Sequence, residues 1–262
     1  MRASSHSEAL VFRAAMAFAE AKRQMARMLG RLYVIEEEGG VAFISMGLNH
    51  ARFNPVMVVG PPRDAMGVIE KARAFYGRLQ KPWELTVLGD WAPEMNEAAK
   101  LAGLEQVALN PGLLLAPLVP LSEAAPGDLE VRRVRDGDAL YEHNGVIAYG
   151  FGIDRSVTAA FDDAESLKAL DMERYTGYVG NTGVVTALRV SALRIASVFN
   201  VVTIPEYRKR GYGDWLTRLC AHDGLSEGCV ASFLESTVAG YSLYLKMGYE
   251  HVFDFYCWRE KA

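Results

Sequence analysis

The sequence contains few cysteines and no long apolar run. Its three cysteines, Cys220, Cys229 and Cys257, match neither a metal-ligand spacing nor an even disulfide framework, so we expect a reducing cytoplasmic compartment and no metal. No uninterrupted apolar stretch approaches the ~18 residues of a membrane-spanning helix, so no membrane partner is predicted. Arg13 and Glu20 interrupt the apolar residues near the N-terminus, a pattern that does not match a signal peptide.

A strong excess of charge of one sign is also lacking. The formal net charge is −4 and the pI is about 5.8, which argues against nucleic acid as a partner. Half of the residues are hydrophobic and 23% are charged, a balance typical of globular soluble proteins. With 262 residues, the chain is long enough for one large domain or two ordinary ones.

The first half of the chain alternates between helical and extended patterns. Apolar residues at helical spacing predict helices over 6–29, 63–79 and 92–101. Extended apolar runs predict strands over 31–36, 41–46, 53–59, 83–88 and 107–118, and Gly39-Gly40 predicts a hairpin turn. The last of these strands is predicted to be broken at Pro111-Gly112.

The second half follows a polar linker of small residues at 121–128. Strands are predicted over 129–134, 175–179, 184–190, 198–202, 230–234 and 249–258, with a hairpin turn at 180–183. The segment 139–170 is predicted to be helical in pieces, with breaks at Gly145, Gly150 and Gly152. Further helices are predicted up to about 225 and before Gly248, so both halves share one element order.

The most informative stretch is 197–216. It has an apolar strand, a turn at Pro205, and then a basic loop with two glycines that opens a helix. Such a loop suits a polyphosphate, because glycines let the backbone approach closely and a helix N-terminus adds outward N–H groups. The cations Arg208, Lys209 and Arg210 can add charge-assisted hydrogen bonds to phosphate oxygens. An ordinary surface turn after a buried strand is the alternative interpretation.

Two motifs in this half resemble those of the GCN5-related N-acetyltransferase (GNAT) superfamily. The first, [RQ]-x-x-G-x-[GA] between a strand and a helix, is matched by Arg208, Gly211 and Gly213. The second, a short strand and a helix ending in L-Y-x-x-x-G-[FY], is matched by Leu243, Tyr244, Gly248 and Tyr249. The motifs follow each other in the family's order, and the resemblance covers 129–258, half of the chain.

The resemblance implies an α/β fold, with a mixed central sheet flanked by helices and two GNAT-like domains in tandem. Residues 129–262 would form the domain that binds acetyl-CoA, with 121–128 as the linker. The first half, 1–120, repeats the element order but has VVGPPR at 58–63 in place of the glycine loop. Two prolines there remove N–H donors, so we predict a degenerate domain without coenzyme A.

The resemblance also implies which residues bind acetyl-CoA, the acyl donor. In the family the central strand separates from its neighbour and pairs with the pantetheine amides, and the glycine loop holds the pyrophosphate. The residues that this match assigns to the donor are Val201, Val202, Thr203, Arg208, Lys209, Arg210, Gly211, Tyr212, Gly213, Asp214 and Ser236.

Tyr244 matches the tyrosine that many GNAT members place near the thioester sulfur, where it protonates the departing thiolate. A phenol suits this role because its pKa near ~10 keeps it protonated at neutral pH, and packing on an amphipathic helix is the alternative role. The general base is not identified, since the position where some relatives carry a glutamate falls near Ser197, and neither Ser197 nor Asn200 is a useful base. The base would be a chain of water molecules, or a carboxylate or histidine from elsewhere in the chain, for which Glu142, His143 and Glu235 are the candidates.

The leading hypothesis is direct transfer of an acetyl group from acetyl-CoA to the amine of a small acceptor, by a monomer or a homodimer. A second hypothesis is a non-catalytic acyl-CoA-binding regulatory module, which the missing base favours and Tyr244 disfavours. A third is a tandem-GNAT transferase with a larger thiol-sugar or aminoacyl acceptor. The intact glycine loop disfavours peptidyl transferases of this architecture that use aminoacyl-tRNA.

Overall fold

The computed structural model describes residues 5–29, 33–122, 124–169 and 171–261, and they form two compact units. Unit one comprises the described residues up to Ala21, Leu114–Leu234 and Ser242–Glu250. Unit two comprises Lys22–Leu113, Glu235–Tyr241 and the described residues from His251 onward. The predicted strand start at 31, the predicted helix end at 170 and position 123 of the predicted linker lie outside the described residues.

The described helices and strands agree in order with the sequence patterns. They are α1 (Glu8–Arg27), β1 (Val34–Glu38), β2 (Val41–Ser45), β3 (Pro55–Val58), α2 (Ala65–Leu79), β4 (Glu84–Leu88), α3 (Pro93–Leu101), β5 (Glu105–Leu115), β6 (Leu129–Arg133), α4 (Gly137–Phe151), α5 (Arg155–Ala159), β7 (Met172–Val179), β8 (Thr182–Ala192), β9 (Ile195–Thr203), α6 (Tyr212–Ser226), β10 (Ala231–Glu235), α7 (Tyr241–Lys246) and β11 (Glu250–Arg259). None of the described helices is long and apolar enough to cross a membrane.

The strands of unit one form a mixed arrangement in the order β10-β9-β8-β7-β6. Strands β9 and β10 are parallel, whereas the other neighbours are antiparallel. Helices α4 and α6 pack on β8 and β9. Helix α6 approaches β9 closely, because a Cβ on Gly224 would lie 2.6 Å from the Cβ of Ala196.

Helix α4 is longer than its glycines predict. The predicted breaks at Gly145 and Gly150 are wrong, because the helix continues through both and ends at Gly152, which is left-handed with φ 66°. Asp136 caps its N-terminus through a side-chain hydrogen bond. A glycine inside a helix costs only about 1 kcal/mol relative to alanine, and at Gly150 the missing side chain permits packing, since a Cβ there would lie 2.6 Å from Val202 Cγ2.

The strands of unit two lie in the order β1-β2-β3-β4-β11-β5. Strands β3 and β4 are parallel and paired along the whole of β3. Helices α2 and α3 pack over an apolar core in which the rings of Tyr76 and Trp83 are stacked, with centroids 5.8 Å apart. The Tyr76 hydroxyl donates to the main-chain oxygen of Pro55 (2.8 Å), which ties α2 to β3.

Two local predictions in unit two are wrong. Phe53, predicted to begin a strand, instead ends a 3-10 helix (Ala51–Phe53), and the N-cap His50 accepts a hydrogen bond from the Arg52 N–H through its ring. Strand β5 continues through Pro111-Gly112, where a break is predicted. A proline φ is compatible with extended backbone, so only one N–H donor is lost there.

The two units interleave along the chain. Strand β11 belongs to unit two from His251 onward and pairs antiparallel with β4, with Phe255 opposite Leu88 and Trp258 opposite Leu85. Helix α1 has its first part in unit one and its last turns in unit two. The sequence predicts domains at 1–120 and 129–262 with a linker at 121–128. The two units differ from this division, because the N-terminal segment up to Ala21 belongs to unit one and the residues from His251 onward belong to unit two. The predicted domain boundaries stay a prediction.

Candidate functional site

Strand β9 separates from β10 partway along its length. The two strands are paired at 195–197 and 231–233. Strand β9 continues to Thr203, and no further pair with β10 is present among these described residues. Main-chain groups of β9 beyond Ser197 that face this side can therefore pair with an extended ligand, as an added strand would.

A bulge at Asn200 interrupts the alternation of β9. Asn200 is left-handed with φ 53°, and the register with β8 shifts at this point. Asparagine tolerates this conformation better than most residues, and the Thr186 hydroxyl donates to the Asn200 carbonyl oxygen (2.9 Å). The bulge turns Val201 and Thr203 toward the start of α6, where a Cβ on Gly213 would lie 3.6 Å from each.

The start of α6 has the properties of an anion site. Gly211 is the N-cap, with φ 82° and no side-chain cap hydrogen bond. The Trp215 N–H makes the first hydrogen bond of the helix, to the Gly211 carbonyl oxygen (3.0 Å). The N–H groups of 211–214 precede Trp215, the first intrahelical donor, so they point out of the helix end, where an anion is favoured.

The cations of the loop have different partners. Arg208 donates from Nε to the Thr203 carbonyl oxygen (3.0 Å) and from Nη2 to the Gly150 carbonyl oxygen (2.8 Å). Its guanidinium therefore ties the end of β9 to α4. Lys209 is exposed and left-handed with φ 63°, and the Arg210 guanidinium lies 4.8 Å from the Tyr207 ring centroid.

Tyr212 and Asp214, which the sequence also assigns to donor binding, have side chains that form hydrogen bonds within unit one. The Tyr212 hydroxyl donates to the Asp128 carboxylate, and Tyr212 is buried. Asp214 accepts from Arg218 one turn later (2.6 Å). Both contacts shape the first turn of α6, so these residues would act on a ligand through their main-chain N–H groups.

Tyr244 is connected through Tyr249 to the place where β9 and β10 separate. Its ring packs edge-on against Tyr249, with centroids 5.9 Å apart. The Tyr249 hydroxyl is 2.8 Å from Ser232 Oγ on β10, and Ser232 donates to the Ala196 carbonyl oxygen on β9 (3.1 Å). No hydrogen bond of the Tyr244 hydroxyl is present within the described part of the chain. Burial, with a contribution from the nearby Cys220 thiol, raises the pKa of Tyr244 to about 12.

Ser236 and Glu235 lie in unit two. Ser236 is buried, its hydroxyl donates to the Thr237 carbonyl oxygen (2.8 Å), and its N–H donates to the Pro111 carbonyl oxygen (2.8 Å). Glu235, a candidate base, accepts hydrogen bonds from Arg52 and Asn110, both at 2.6 Å. The Glu235 carboxylate therefore forms an ion pair with Arg52 and a hydrogen bond with Asn110.

The two other candidate bases are on α4. His143 is buried, its Nδ1 lies 3.0 Å from Thr176 Oγ1, and burial together with the Arg174 charge lowers its pKa to about 3. Glu142 accepts from the Tyr178 hydroxyl (2.8 Å). Both side chains are thus held by neighbouring strand residues.

The residues of unit one fit an acyl-CoA. The unpaired side of β9 matches the extended, amide-bearing pantetheine, and the N–H groups at the start of α6 match a pyrophosphate. Gly213 leaves room for close approach, because an added Cβ would meet only Val201 and Thr203 at contact distance. Tyr244 and these two features belong to the same unit.

Several contacts of this region were not foreseen from the sequence. Gly150 packs on Val202, and the Arg208 guanidinium donates to the Gly150 carbonyl oxygen, so both contacts join residues far apart in the chain. Asn200 could have been singled out, because a polar residue that tolerates left-handed backbone stands inside an apolar strand. The partners of Glu235 carry no local sequence signal.

No family model and no curated protein matches the chain, but solved structures do. A GCN5-related N-acetyltransferase from Kribbella flavida is 15% identical with a TM-score of 0.72, covering 93% of this chain and 95% of that one. A GCN5-related N-acetyltransferase from Sphaerobacter thermophilus is 14% identical with a TM-score of 0.61, covering 94% and 91%. A tandem GNAT protein from the clavulanic acid biosynthesis pathway is 12% identical with a TM-score of 0.58, covering 92% and 94%.

These similarities span nearly the whole chain at low identity, so they establish the fold and leave the reaction to be tested. The predicted α/β architecture, with mixed sheet topology flanked by helices, is confirmed. The chain therefore has the fold of the GCN5-related N-acetyltransferases, as the resemblance of its two motifs implied.

Proposed function

We propose that this chain transfers an acyl group, with acetyl as the first candidate, from acyl-CoA to the amine of a small acceptor. The observation that carries the proposal is the pairing of two features in unit one. Strand β9 separates from β10, and the chain then enters α6 through a glycine N-cap without a side-chain cap. An extended ligand that ends in a pyrophosphate is the ligand chemistry that suits both features.

The donor-binding roles divide between main chain and side chains. Main-chain groups of β9 from Val201 to Thr203 would pair with the pantetheine amides. The N–H groups of 211–214 would hold the pyrophosphate, and the exposed Lys209 and Arg210 would add positive potential. Arg208 would act by keeping the loop attached to Thr203 and Gly150.

The reaction would be a direct displacement. The neutral amine attacks the thioester carbonyl carbon, the C–N bond forms, and the C–S bond breaks as the amine proton passes to water. The Tyr244 phenol would donate a hydrogen bond to the departing sulfur. Because its pKa of about 12 lies above the ~8.5 of a free thiol, stabilisation by this hydrogen bond is favoured over complete proton transfer.

The test is thiol release from acetyl-CoA with a panel of small amines, amino acids, aminoglycosides, thiol-sugar conjugates and aminoacyl conjugates. We expect release that depends on one acceptor class and matches the acetylated product, counted by mass spectrometry. Longer acyl-CoAs in the same assay define the chain length. Binding of acetyl-CoA without release for every acceptor would contradict the transferase proposal.

Gly213→Asp should abolish acetyl-CoA binding while the protein stays folded. The added carboxylate would occupy the space over the first turn of α6 and repel the phosphates, yet a negative charge at a helix N-terminus does not destabilise the helix. Gly137→Asp, in the first turn of α4, is the matched control, because a Cβ at Gly137 meets nothing within 4 Å. Calorimetry that finds equal acetyl-CoA affinity in both variants would remove α6 from the site.

A non-catalytic acyl-CoA-binding module is the second candidate function. It is favoured because Glu142, His143 and Glu235, the candidate bases, are all held by other residues. The release assay separates the two functions, since the binding module predicts acetyl-CoA affinity and no turnover.

A further inference from the structure

Helix α1 places one aromatic ring beside the point where β9 and β10 separate. The centroid of the Phe18 ring lies 5.0 Å from that of Phe199 on β9 and 5.7 Å from that of Phe233 on β10. Phe233 is paired with Ser197, at the end of the parallel pairing of these two strands. All four residues belong to unit one. The Phe18 ring therefore contacts both strands next to the place where they separate.

The side chains of these strand residues share one face of the sheet. Side chains alternate along a strand, so Ser197 and Phe199 lie on the same face of β9, where the register with β8 is regular. Partners in register also share a face, so Phe233 lies on it too. Phe18 and Phe233 are buried, whereas Phe199 is half-buried. Phe199 therefore leaves apolar surface exposed where β9 becomes free to pair with a ligand.

Ser197 adds a polar group to this apolar face. Its side chain is fully buried, and no residue that the structure describes offers its hydroxyl a hydrogen-bond partner. The buried Ser232 hydroxyl, on the neighbouring strand, instead donates to the Ala196 carbonyl oxygen (3.1 Å). A buried hydroxyl without a partner costs free energy, so this position favours a ligand that brings an acceptor oxygen. The carbonyl oxygen of a thioester is such an acceptor.

The direction of the proposed donor brings its acyl group to the same place. The start of α6, which would hold the pyrophosphate, follows the Thr203 end of β9. The pantetheine would pair with β9 from that end back toward Ser197. In acyl-CoA the thioester is at the end of the pantetheine that is remote from the pyrophosphate. The acyl group would therefore reach Ser197 and the three rings.

We propose that Phe18, Phe199 and Phe233 form an acyl pocket that admits short acyl groups, with the Ser197 hydroxyl as donor to the acyl carbonyl oxygen. Phe18 is 1% exposed and packs on both other rings, so a longer chain meets its ring. The pocket deepens the proposed function and rests on its acyl-CoA site. It also gives α1, which precedes the part of the chain with the two motifs, a role in donor selection.

The experiment compares acetyl-CoA with hexanoyl-CoA by calorimetry on the full chain. Wild type should bind hexanoyl-CoA at least about tenfold more weakly. Phe18→Ala should raise the ratio of hexanoyl-CoA to acetyl-CoA affinity by about tenfold or more, because the removed ring leaves space for the added methylenes. Phe12→Ala is the matched control, since Phe12 lies on the same helix and is 40% exposed. It should leave the ratio unchanged.

Each result of the comparison decides the acyl pocket. Equal affinities of wild type for both donors, or an unchanged ratio in folded Phe18→Ala, would overturn it. If Phe18→Ala fails to fold, Phe18→Leu keeps much of the volume and should raise the ratio of butyryl-CoA to acetyl-CoA affinity by about threefold. An unchanged ratio in that variant would overturn the pocket equally.

Ser197→Ala tests the hydroxyl separately. The variant should weaken acetyl-CoA relative to unacylated CoA by about three- to tenfold, the contribution of one hydrogen bond. It should also raise the thermal midpoint of the unliganded protein, because a buried hydroxyl without a partner is removed. An unchanged affinity ratio or a lower thermal midpoint would overturn the role of Ser197.

These measurements distinguish the acyl pocket from the proposed function. A wild-type protein that binds no acetyl-CoA would refute the donor site itself. A protein that binds acetyl-CoA and releases no thiol would refute the transfer, and the affinity ratios would still decide the pocket. Transfer together with an unchanged ratio in Phe18→Ala would overturn the pocket and leave the proposed function in place.

Discussion

Tyr244 is half-buried, with its ring against Tyr249 and its hydroxyl without a described partner. Tyr244→Phe keeps the ring and removes the one group that could stabilise a departing thiolate. We expect the turnover number to fall by about 10²-fold with nearly unchanged acetyl-CoA affinity, as when one hydrogen-bond donor to a developing negative charge is removed.

The pH dependence of the transfer rate is a second test of the role of Tyr244. With a pKa of about 12, the phenol stays protonated throughout the usual assay range, so it should cause no alkaline decrease in rate below about pH 11. Turnover of Tyr244→Phe within about twofold of wild type would leave the residue a packing role only.

His143 should make stability depend on pH. Burial lowers its folded-state pKa to about 3, below the ~6.5 of an unfolded histidine, so the unfolded chain binds more protons between these values. Its contribution to stability is therefore complete above pH ~6.5 and lost as the pH falls toward about 3.

His143→Gln, which cannot titrate but can still hydrogen-bond to Thr176, should flatten this dependence. Between pH 4 and 6 the slope of unfolding free energy against pH should fall by up to about 1.4 kcal/mol per pH unit, the value for one proton. Urea unfolding of both proteins across that range is the measurement. Parallel curves would show that His143 does not carry this titration.

At the scale of elements, the contact between α4 and β9 depends on a missing side chain. A Cβ on Gly150 would lie 2.6 Å from Val202 Cγ2, so Gly150→Ala should destabilise the protein by about 1–3 kcal/mol, as overpacking does. It should also weaken acetyl-CoA binding, because the Gly150 carbonyl oxygen accepts from Arg208. Thermal unfolding and calorimetry measure the two effects.

Gly145→Ala is the internal control for this prediction. It lies on the same helix with nothing within 4 Å of its Cβ, and should stabilise the protein by about 0.5–1 kcal/mol through helix propensity. Adding Val202→Ala to Gly150→Ala should restore part of the lost stability, since it removes the clashing methyl groups. Equal effects of the two glycine substitutions would refute the packing argument.

At the scale of the whole molecule, the two units differ in how their parallel strands pair. In unit one β9 leaves β10 after Ser197, whereas in unit two β3 is paired with β4 along its full length. The loop after β3 also contains Pro61 and Pro62, which lack N–H groups. The described residues of unit two therefore show neither of the two features that fit acyl-CoA in unit one.

We expect one acetyl-CoA per chain. Calorimetry of the full chain should give a single class of sites with a stoichiometry of one, and Gly213→Asp should eliminate all binding. Two sites per chain, or one site that survives in Gly213→Asp, would place a ligand in unit two and contradict the prediction.

The sequence by itself determined the order of the elements and the place of the glycine loop between β9 and α6. Apolar periodicity and turn residues act over a few neighbours, so the order of the helices and strands of both units was predicted. The errors were shifts of a few residues at the ends and the wrong breaks inside α4 and β5. Gly211 shows why the loop could be recognised, because its φ of 82° is a conformation that glycine adopts freely and other residues avoid. The assignments of Tyr244 and the loop to catalysis and donor binding stay predictions.

Only the tertiary structure decided the contacts between distant residues. Strand β11 pairs with β4, Arg208 turns toward Gly150, and Glu235 meets Arg52 and Asn110. No local pattern encodes such pairs, because each depends on how the whole chain closes and on which polar groups must find partners when they are buried. Helix α4 passes through Gly150 for the same reason: the packing gained against Val202 outweighs a weak local preference to end the helix.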